Sequence, residues 1–370
     1  MLLKSLNITN FKNIADASLE FSDKINCFLG DNGMGKSNLL DAIHYLSFCR
    51  SFTGAQDSMV IKNGMDFAML QAKYVRRDSE EDLNVALTAA PRRKSVKRGG
   101  KEYNRLSDHI GLFPSVLVSP SDMDLITLSG ETRRRFIDMV ISQSDPAYLD
   151  ALIKYNTALE NRNKLLRSDI TDPNLFMAYE SAMTGYAASL TAKRDDFVKK
   201  LSQIHTQYYR AITSSPNETT TLTLKTQTDR NDALSLAKLL DKNRSRDKIL
   251  GYTTVGPHRD DLEMTLDQMP VRRTASQGQA KTFTIALRMA QYDFLTQTAG
   301  VKPILLLDDI FDKLDSRRVE NIINLVTDNN FGQIFITDTN RKHLDDILSA
   351  IEGPKTLINV KDGEFEEVKS

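Results

Sequence analysis

Tryptophan is missing from this chain of 370 residues, and cysteine occurs only at Cys27 and Cys49. Two cysteines cannot build a disulfide framework and here lack metal-ligand spacing, so both are expected to be buried packing residues. An excess of one charge is also missing. Lys plus Arg number 49 and Asp plus Glu number 49, so no overall positive field gathers an anionic polymer, and any such contact falls to local basic patches. No apolar run approaches the roughly 18 residues that cross a bilayer; Pro303 to Leu307 is only strand length. The opening MLLKSLNITNFKN has neither a sustained apolar stretch nor a small-residue cleavage site, which favours a cytoplasmic protein with no membrane partner. The remaining composition, 40% hydrophobic and 26% charged, is that of a soluble globular protein, and the length suits two domains or one domain with an insertion.

Periodicity divides the chain. Leu6 and Ile8, then Leu19 and Phe21, then Ile25, Cys27 and Leu29 alternate with other residues, and the first forty residues read as two strands running into a helix with Leu39, Leu40, Ile43 and Leu46 on one stripe. Strand-like stretches continue through Met69 to Tyr74 and Leu83 to Thr88. Gly99-Gly100 suits a hairpin turn, since glycine tolerates positive φ. From Glu131 to about Arg210 the pattern turns helical, with Asp145-Pro146 reading as an N-cap and first-turn proline. Tyr148, Leu152, Tyr155, Leu159 and Leu166 line one stripe, and Phe197, Leu201, Ile204 and Tyr208 another. Neither keeps a strict heptad, so a compact bundle is expected rather than an extended coiled coil. Thr213 to Thr228 reads as strand or loop. Strand alternation returns at Leu262, Met264 and Leu266, with a helix from about Gln279 and a buried strand at Ile304 to Leu307. The expected organisation is an α/β domain from both chain ends, residues 1–125 and 252–370, around a mainly helical insertion at 126–251.

Three motifs carry chemistry. Residues 30–37, Gly30-Asp31-Asn32-Gly33-Met34-Gly35-Lys36-Ser37, fit G-x-x-x-x-G-K-[ST] (Walker A) at every defined position, after an apolar strand and before a helix. Glycines let the backbone wrap a phosphate with its N–H groups inward, and the new helix adds its positive end. Lys36 is expected to reach the β- and γ-phosphates of ATP and Ser37 to ligate Mg²⁺, with Asn38 closing the ATP-binding set. Residues 304–309, Ile304 to Asp309, form an apolar strand ending in two carboxylates (Walker B). Asp308 is the expected Mg²⁺ ligand and Asp309 the catalytic group beside the attacking water, assisted by Lys36. Between them Ser276-Gln277-Gly278-Gln279 matches the S-x-G-Q signature of ATP-binding-cassette (ABC) ATPases, where it covers the γ-phosphate of ATP bound to the other subunit. Phe311-Asp312-Lys313-Leu314-Asp315 resembles the D-loop of the same class. Thr337-Asp338-Thr339 stands where that class often carries a switch histidine, and no histidine is there. A Q-loop glutamine is also lacking; its equivalent is Val118-Ser119-Pro120.

Segments outside these motifs narrow the class. Asn10-Phe11-Lys12-Asn13, Ser37 to Ile43, Arg133-Arg134-Arg135-Phe136-Ile137-Asp138, Tyr155 with Arg162-Asn163 and Leu165-Leu166, and Gly256-Pro257-His258-Arg259-Asp260-Asp261 together resemble the bacterial RecF family, recombination-repair relatives of the Rad50 and SMC ATPases. The likeness spans roughly residues 1 to 340, with little from 168 to 250. It implies a P-loop ABC-type ATPase head (Rad50/SMC-like) with a mainly helical inserted second domain, and it adds Lys12 to the residues near ATP. It further implies an ATP-dependent homodimer on gapped DNA or single-/double-strand junctions in recombinational repair and replication-fork maintenance. Weak, DNA-stimulated hydrolysis of ATP to ADP and phosphate, and partnership with RecO and RecR, come from the same likeness.

For DNA contact the densest basic tract is Arg92, Arg93, Lys94, Lys97, Arg98 and Lys101. On a hairpin it faces either phosphates or only solvent. Arg133 to Arg135 are a second candidate, or else pair with acids of the helical domain. Arg272-Arg273 face ATP, DNA or solvent, and His258 and Arg259 either stabilise a turn or approach the shared ATP. Without tryptophan, and with tyrosines on core stripes, base stacking is not evident, so backbone and shape would be read. The alternatives are a transporter's nucleotide-binding subunit and a metabolic P-loop kinase.

Overall fold

Ile25–Leu29 is buried along nearly its whole length, as a strand with neighbours on both sides must be. The computed structural model describes residues 1–168, 172–215, 217–328, 331–350 and 353–368. In it this strand lies third in a six-stranded sheet ordered Glu364–Glu367, Lys355–Lys361, Ile25–Leu29, Ile334–Asp338, Ile304–Asp308, Ser115–Val118. The pairings among the last five strands are parallel; only Glu364–Glu367 runs antiparallel. Parallel strands bring their carboxyl ends to one edge, so Gly30, Thr339, Asp309 and Ser119 all leave the sheet there, the usual place for a ligand.

Three strands, not two, precede the P-loop. Leu2–Phe11 and Ile14–Glu20 belong to a second, antiparallel sheet that continues through Phe67–Arg76, Ser79–Thr88, Arg93–Arg98 and Lys101–Glu102. Its last turn is built on Gly99 and Gly100, both at positive φ (54° and 79°), with Arg98 opposite Lys101. The helix Lys36–Phe48 joins the two sheets into one core. Leu39, Leu40, Ile43 and Leu46 pack in the same cluster as Leu6, Ile8 and Leu70 of one sheet and Leu306 and Phe335 of the other. Each such aliphatic side chain contributes about 1.5–3 kcal/mol when fully buried, so Ile43→Ala would loosen both sheets at once.

The chain forms two compact units, Met1–Asp122 with Ala211–Ser214 and Lys281–Ser370, and Met123–Arg210 with Ser215–Ala280. The second unit contains the helices Gly130–Ser144, Pro146–Leu166 and Ser235–Leu250, most of Pro173–Thr213, and a sheet ordered Met269–Pro270, Asp261–Leu266, Thr220–Lys225. Asp145 caps Pro146–Leu166, its side chain accepting from the Tyr148 N–H. The helix Pro173–Thr213 has 41 residues, much of what reads in sequence as a compact bundle. Motif order puts the return to the P-loop domain at 252; the observed units put it at Lys281, because Asp261–Leu266 pairs along its whole length with Thr220–Lys225. No helix among the described residues is long and apolar enough to cross a membrane.

Candidate functional site

Between Leu29 and Lys36 the chain turns back through its glycines. Gly33 and Gly35 sit at φ 83° and 113°, which side-chain-bearing residues rarely adopt. Gly30 is required for space instead, since a Cβ there would stand 2.3 Å from the Val360 carbonyl oxygen. Gly35 offers no side-chain cap to the helix that follows, so its first N–H groups stay available to an anion. Lys36 Nζ donates to the carbonyls of Gly30 (2.6 Å) and Asp31 (2.9 Å). Burial pulls its pKa down, while Asp309, Asp308, Asp338 and Asp31 pull the other way.

Facing the loop, the Asp308 carboxylate oxygen Oδ1 accepts from Ser37 Oγ at 2.8 Å and Thr337 Oγ1 at 2.7 Å. Burial pushes the Asp308 carboxyl above its ordinary range despite those bonds and Lys36. Asp309 is raised by burial and then by Asp338. A divalent cation bound beside them would offset the burial that is the larger cause in both. The cleft between loop and strand, about 160 Å³, is bounded by Gly33, Lys36, Ser37, Asn38, Asp308 and Asp309 among others. A larger cavity of about 850 Å³ lies in the helical unit, lined by Leu165, Leu166, Phe176, Met177 and Leu234 among others. Its mainly apolar walls offer no phosphate cradle, so size does not decide the site.

Two neighbours of the site were not legible in sequence. Asn13, rather than Lys12, reaches the loop: its side chain donates to the Met34 carbonyl (3.4 Å) and accepts from Asn38 Nδ2 (2.7 Å). Lys12 pairs with buried Asp41 on the P-loop helix at 2.6 Å. The second is His343, on the helix Arg341–Ala350. Its Nδ1 lies 2.8 Å from Asp338 Oδ2 and its ring 5.2 Å from that of Phe311, so a histidine does stand beside the strand end that lacks one. Only the turn that folds this helix back brings it there, and no spacing rule signals that. The segment Val118-Ser119-Pro120 leaves the same sheet edge, its Ser119 N–H held by Asp122 Oδ2 (3.0 Å) and Asp122 in turn by Arg288 (2.5 Å).

Ser276 and Gln279 form a reciprocal cap at the start of Gln277–Ala299. The Gln279 side chain accepts from the Ser276 N–H (3.0 Å) and the Ser276 hydroxyl from the Gln279 N–H (3.2 Å). Ser276, Gln277, Arg272 and Arg273 are exposed. Of the basic hairpin tract, Arg93 pairs with Glu102 (3.4 Å), Lys94 with Asp57 (2.9 Å) and Arg98 with Glu81 (2.6 Å). Arg92, Lys97 and Lys101 are exposed and in no ion pair among the described residues.

The remaining segments that suggested a family meet inside the helical unit. Arg133 grips Asp261 with two bonds (2.7 and 3.0 Å), Arg134 donates to the Asp260 carbonyl (2.6 Å), and Arg135 pairs with Glu131 (2.5 Å). Asp138 and Asp260 both bind Arg194, at 2.9 and 2.7 Å. Arg162 binds Asp247 (2.8 Å) and Glu180 (2.9 Å) with no exposure of its own side chain. The His258 ring bonds Tyr155 Oη at 2.8 Å, and burial holds its pKa down at about 4. Gly256 sits at φ 121°, which side-chain-bearing residues rarely adopt, and a Cβ there would also crowd that same Tyr155 oxygen at 2.7 Å. Arg259 donates to the Thr253 carbonyl at 2.9 Å. His258 and Arg259 both bond within this turn of the unit, and Arg133 to Arg135 are taken up by its acids and a carbonyl.

A P-loop and a two-carboxylate strand on a parallel sheet, backed by an antiparallel sheet, define an SMC-type ATPase head. A crystal structure of the Smc head domain of Pyrococcus furiosus shares the fold, with a TM-score of 0.58 at 17% identity over 99% of this chain and 96% of that one. The sequence profile described as RecF/RecN/SMC N terminal domain matches residues 2–357. At closer range, the DNA replication and repair protein RecF of Parabacteroides distasonis is 48% identical over the full length of both chains. That of Phocaeicola vulgatus is 47% identical over 100% of this chain and 99% of its own. A structure of the recombination mediator protein RecF with ATP, in the RecFOR pathway, superposes with a TM-score of 0.88 at 28% identity, covering 99% of each chain. The chain belongs to the RecF family. That membership sets aside the transporter-subunit and metabolite-kinase alternatives.

Proposed function

We propose that this chain is an ATP-dependent DNA-binding protein of recombinational repair and replication-fork maintenance. ATP binding pairs two copies on gapped DNA or single-/double-strand junctions, and slow hydrolysis, stimulated by DNA, releases them. The observation that supports this most is the geometry of the P-loop. Lys36 is folded into the loop on two carbonyls, and Ser37 lies against the Asp308 carboxylate. Backbone N–H groups and Lys36 would hold the phosphates, with Gly30, Asp31, Asn32, Gly33, Met34, Gly35 and Asn38 as the rest of the cradle. Ser37 and Asp308 fit Mg²⁺: their oxygens stand 2.8 Å apart, and this ion takes few protein ligands, completing its shell with phosphate and water. Bound there, it would offset phosphate charge, while Asp309 orients the attacking water.

Ser276, Gln277, Gly278 and Gln279 would cover the ATP of the partner copy; the exposure of Ser276 and Gln277 at a helix start favours this. Likeness to a RecF structure of the RecFOR pathway favours RecO and RecR as partners. Sedimentation with and without ATP, and with gapped duplex, tests the reading. A monomer–dimer shift on ATP is expected for the native chain and none for Ser276→Arg, which should still bind ATP. A native chain that stays monomeric with ATP and DNA at high concentration overturns it.

A further inference from the structure

The turn after the Asp308 strand is weakly held by its own hydrogen bonds. Asp309 and Lys313 both adopt left-handed backbone conformations, φ 48° and 59°, which are strained for residues that carry a side chain. The Asp309 N–H reaches the Thr337 carbonyl and hydroxyl at 3.2 Å each, and the Leu314 N–H reaches the Phe311 carbonyl at 3.4 Å. A strained loop whose one internal bond here is long persists only if its surroundings fix it.

Lys281 supplies such a fixing point. It lies in the helix Gln277–Ala299, and its ammonium donates to the main-chain carbonyl of Asp312. The bond is to backbone, so it sets the path of the loop whatever side chain stands at 312. The ammonium is partly buried, which lowers its pKa, and Asp312, Asp309 and Asp338 act against that. Lys281 is in turn one of the charges that favour ionised Asp309. None of the three nucleotide motifs contains this residue.

We propose that Lys281 is a positioning residue for ATP hydrolysis: by holding the Asp312 carbonyl it sets the Asp309–Asp315 loop, and with it the Asp309 carboxylate, in working position. The inference rests on the reading of Asp309 as the group that orients water. Nucleotide binding is left to the P-loop, so the two parameters separate.

Lys281→Met keeps most of the stem and removes the ammonium, Lys281→Gln keeps a donor without the charge, and Lys281→Arg keeps both. For Lys281→Met the ATP dissociation constant should stay within about twofold while kcat falls at least about tenfold, the scale of a misplaced catalytic group. Lys281→Arg should recover most of the turnover. Unchanged kcat in Lys281→Met, an ATP affinity that falls as far as kcat, or an Arg variant as slow as the Met variant overturns the proposal. Should Lys281→Met fail to fold, Gln and Arg decide: faster turnover for Arg at equal ATP affinity supports the role, and equal rates overturn it. Asp309→Asn, assayed beside them, separates the two readings. If it hydrolyses normally, the assignment of Asp309 fails; if it is slow while Lys281→Met is normal, only Lys281 fails.

Discussion

Arg194 in the helical unit and Asp308 at the P-loop are both buried ionisable residues, but their surroundings are matched differently. Burial works against the Arg194 charge, yet Asp138, Tyr148 and Asp260 hold its pKa well above the usual value. Asp308 has two hydroxyl donors and a lysine nearby and is still pushed above the carboxylate range, chiefly by burial. The first sets a buried charge between two carboxylates, although one of them, Asp260, is itself pushed up by burial. The second leaves a buried carboxyl in no ion pair among the described residues, a local cost of the kind expected where a site gives up stability for function.

The contrast breaks most visibly at Arg194. Arg194→Met should leave Asp138 and Asp260 facing a void, and loss of one member of a buried pair costs about 3–5 kcal/mol. Urea denaturation measures it, and a change under about 1 kcal/mol would mean the network adds little to stability. Asp309→Asn should do the reverse. Removing a charge that its surroundings already disfavour leaves the melting temperature equal or higher, while turnover falls on the order of 10²-fold with ATP binding retained. A variant that lost stability and kept its rate would exchange the roles assigned to the two regions.

What was legible in the sequence was local chemistry. The P-loop, the strand ending in Asp308-Asp309, the Gly99-Gly100 hairpin and the Asp145-Pro146 cap each depend on a few adjacent residues whose backbone demands are explicit. Pairing across long separations was not legible. Ile25–Leu29 was read by alternation, yet it lies between parallel neighbours and is buried on both faces. Ser235–Leu250 was not read as a helix at all; it buries only Leu236, Leu240 and Asp247, the last as an Arg162 partner. One of its interior contacts is ionic, and hydrophobic periodicity does not register that. At the site, Lys12 and His343 show the same limit: the partner that defines each comes from the fold, Asp41 for one and Asp338 for the other.

Titration sharpens the comparison further. His258 in the helical unit and His44 in the P-loop helix are both held down at about 4 by burial. As pH drops from 6.5 the unfolded chain takes up protons that these folded imidazoles refuse until about 4, so unfolding is favoured and stability falls across that window. Each site contributes a slope of up to about 1.4 kcal/mol per pH unit. Thermal melts between neutral pH and pH about 4.5 should show a shallower loss for His258→Gln. Slopes equal to the native chain would mean that folded His258 takes up its proton over the same pH range as the unfolded chain.

The smallest effect expected is on DNA, and it divides the basic hairpin in two. Each cation that neutralises a phosphate adds about 0.9 to the slope of log affinity against log salt. Arg92, Lys97 and Lys101 are exposed and without an ion pair among the described residues, whereas Arg93, Lys94 and Arg98 each have a carboxylate partner that DNA would have to displace. If this hairpin meets the backbone of DNA, replacing the first three by Ala should flatten the salt slope by up to about 3, and replacing the second three by distinctly less. A larger loss from the paired set would mean that those ion pairs open on binding. A slope untouched by either set would move the DNA surface off this hairpin, while leaving the P-loop chemistry intact.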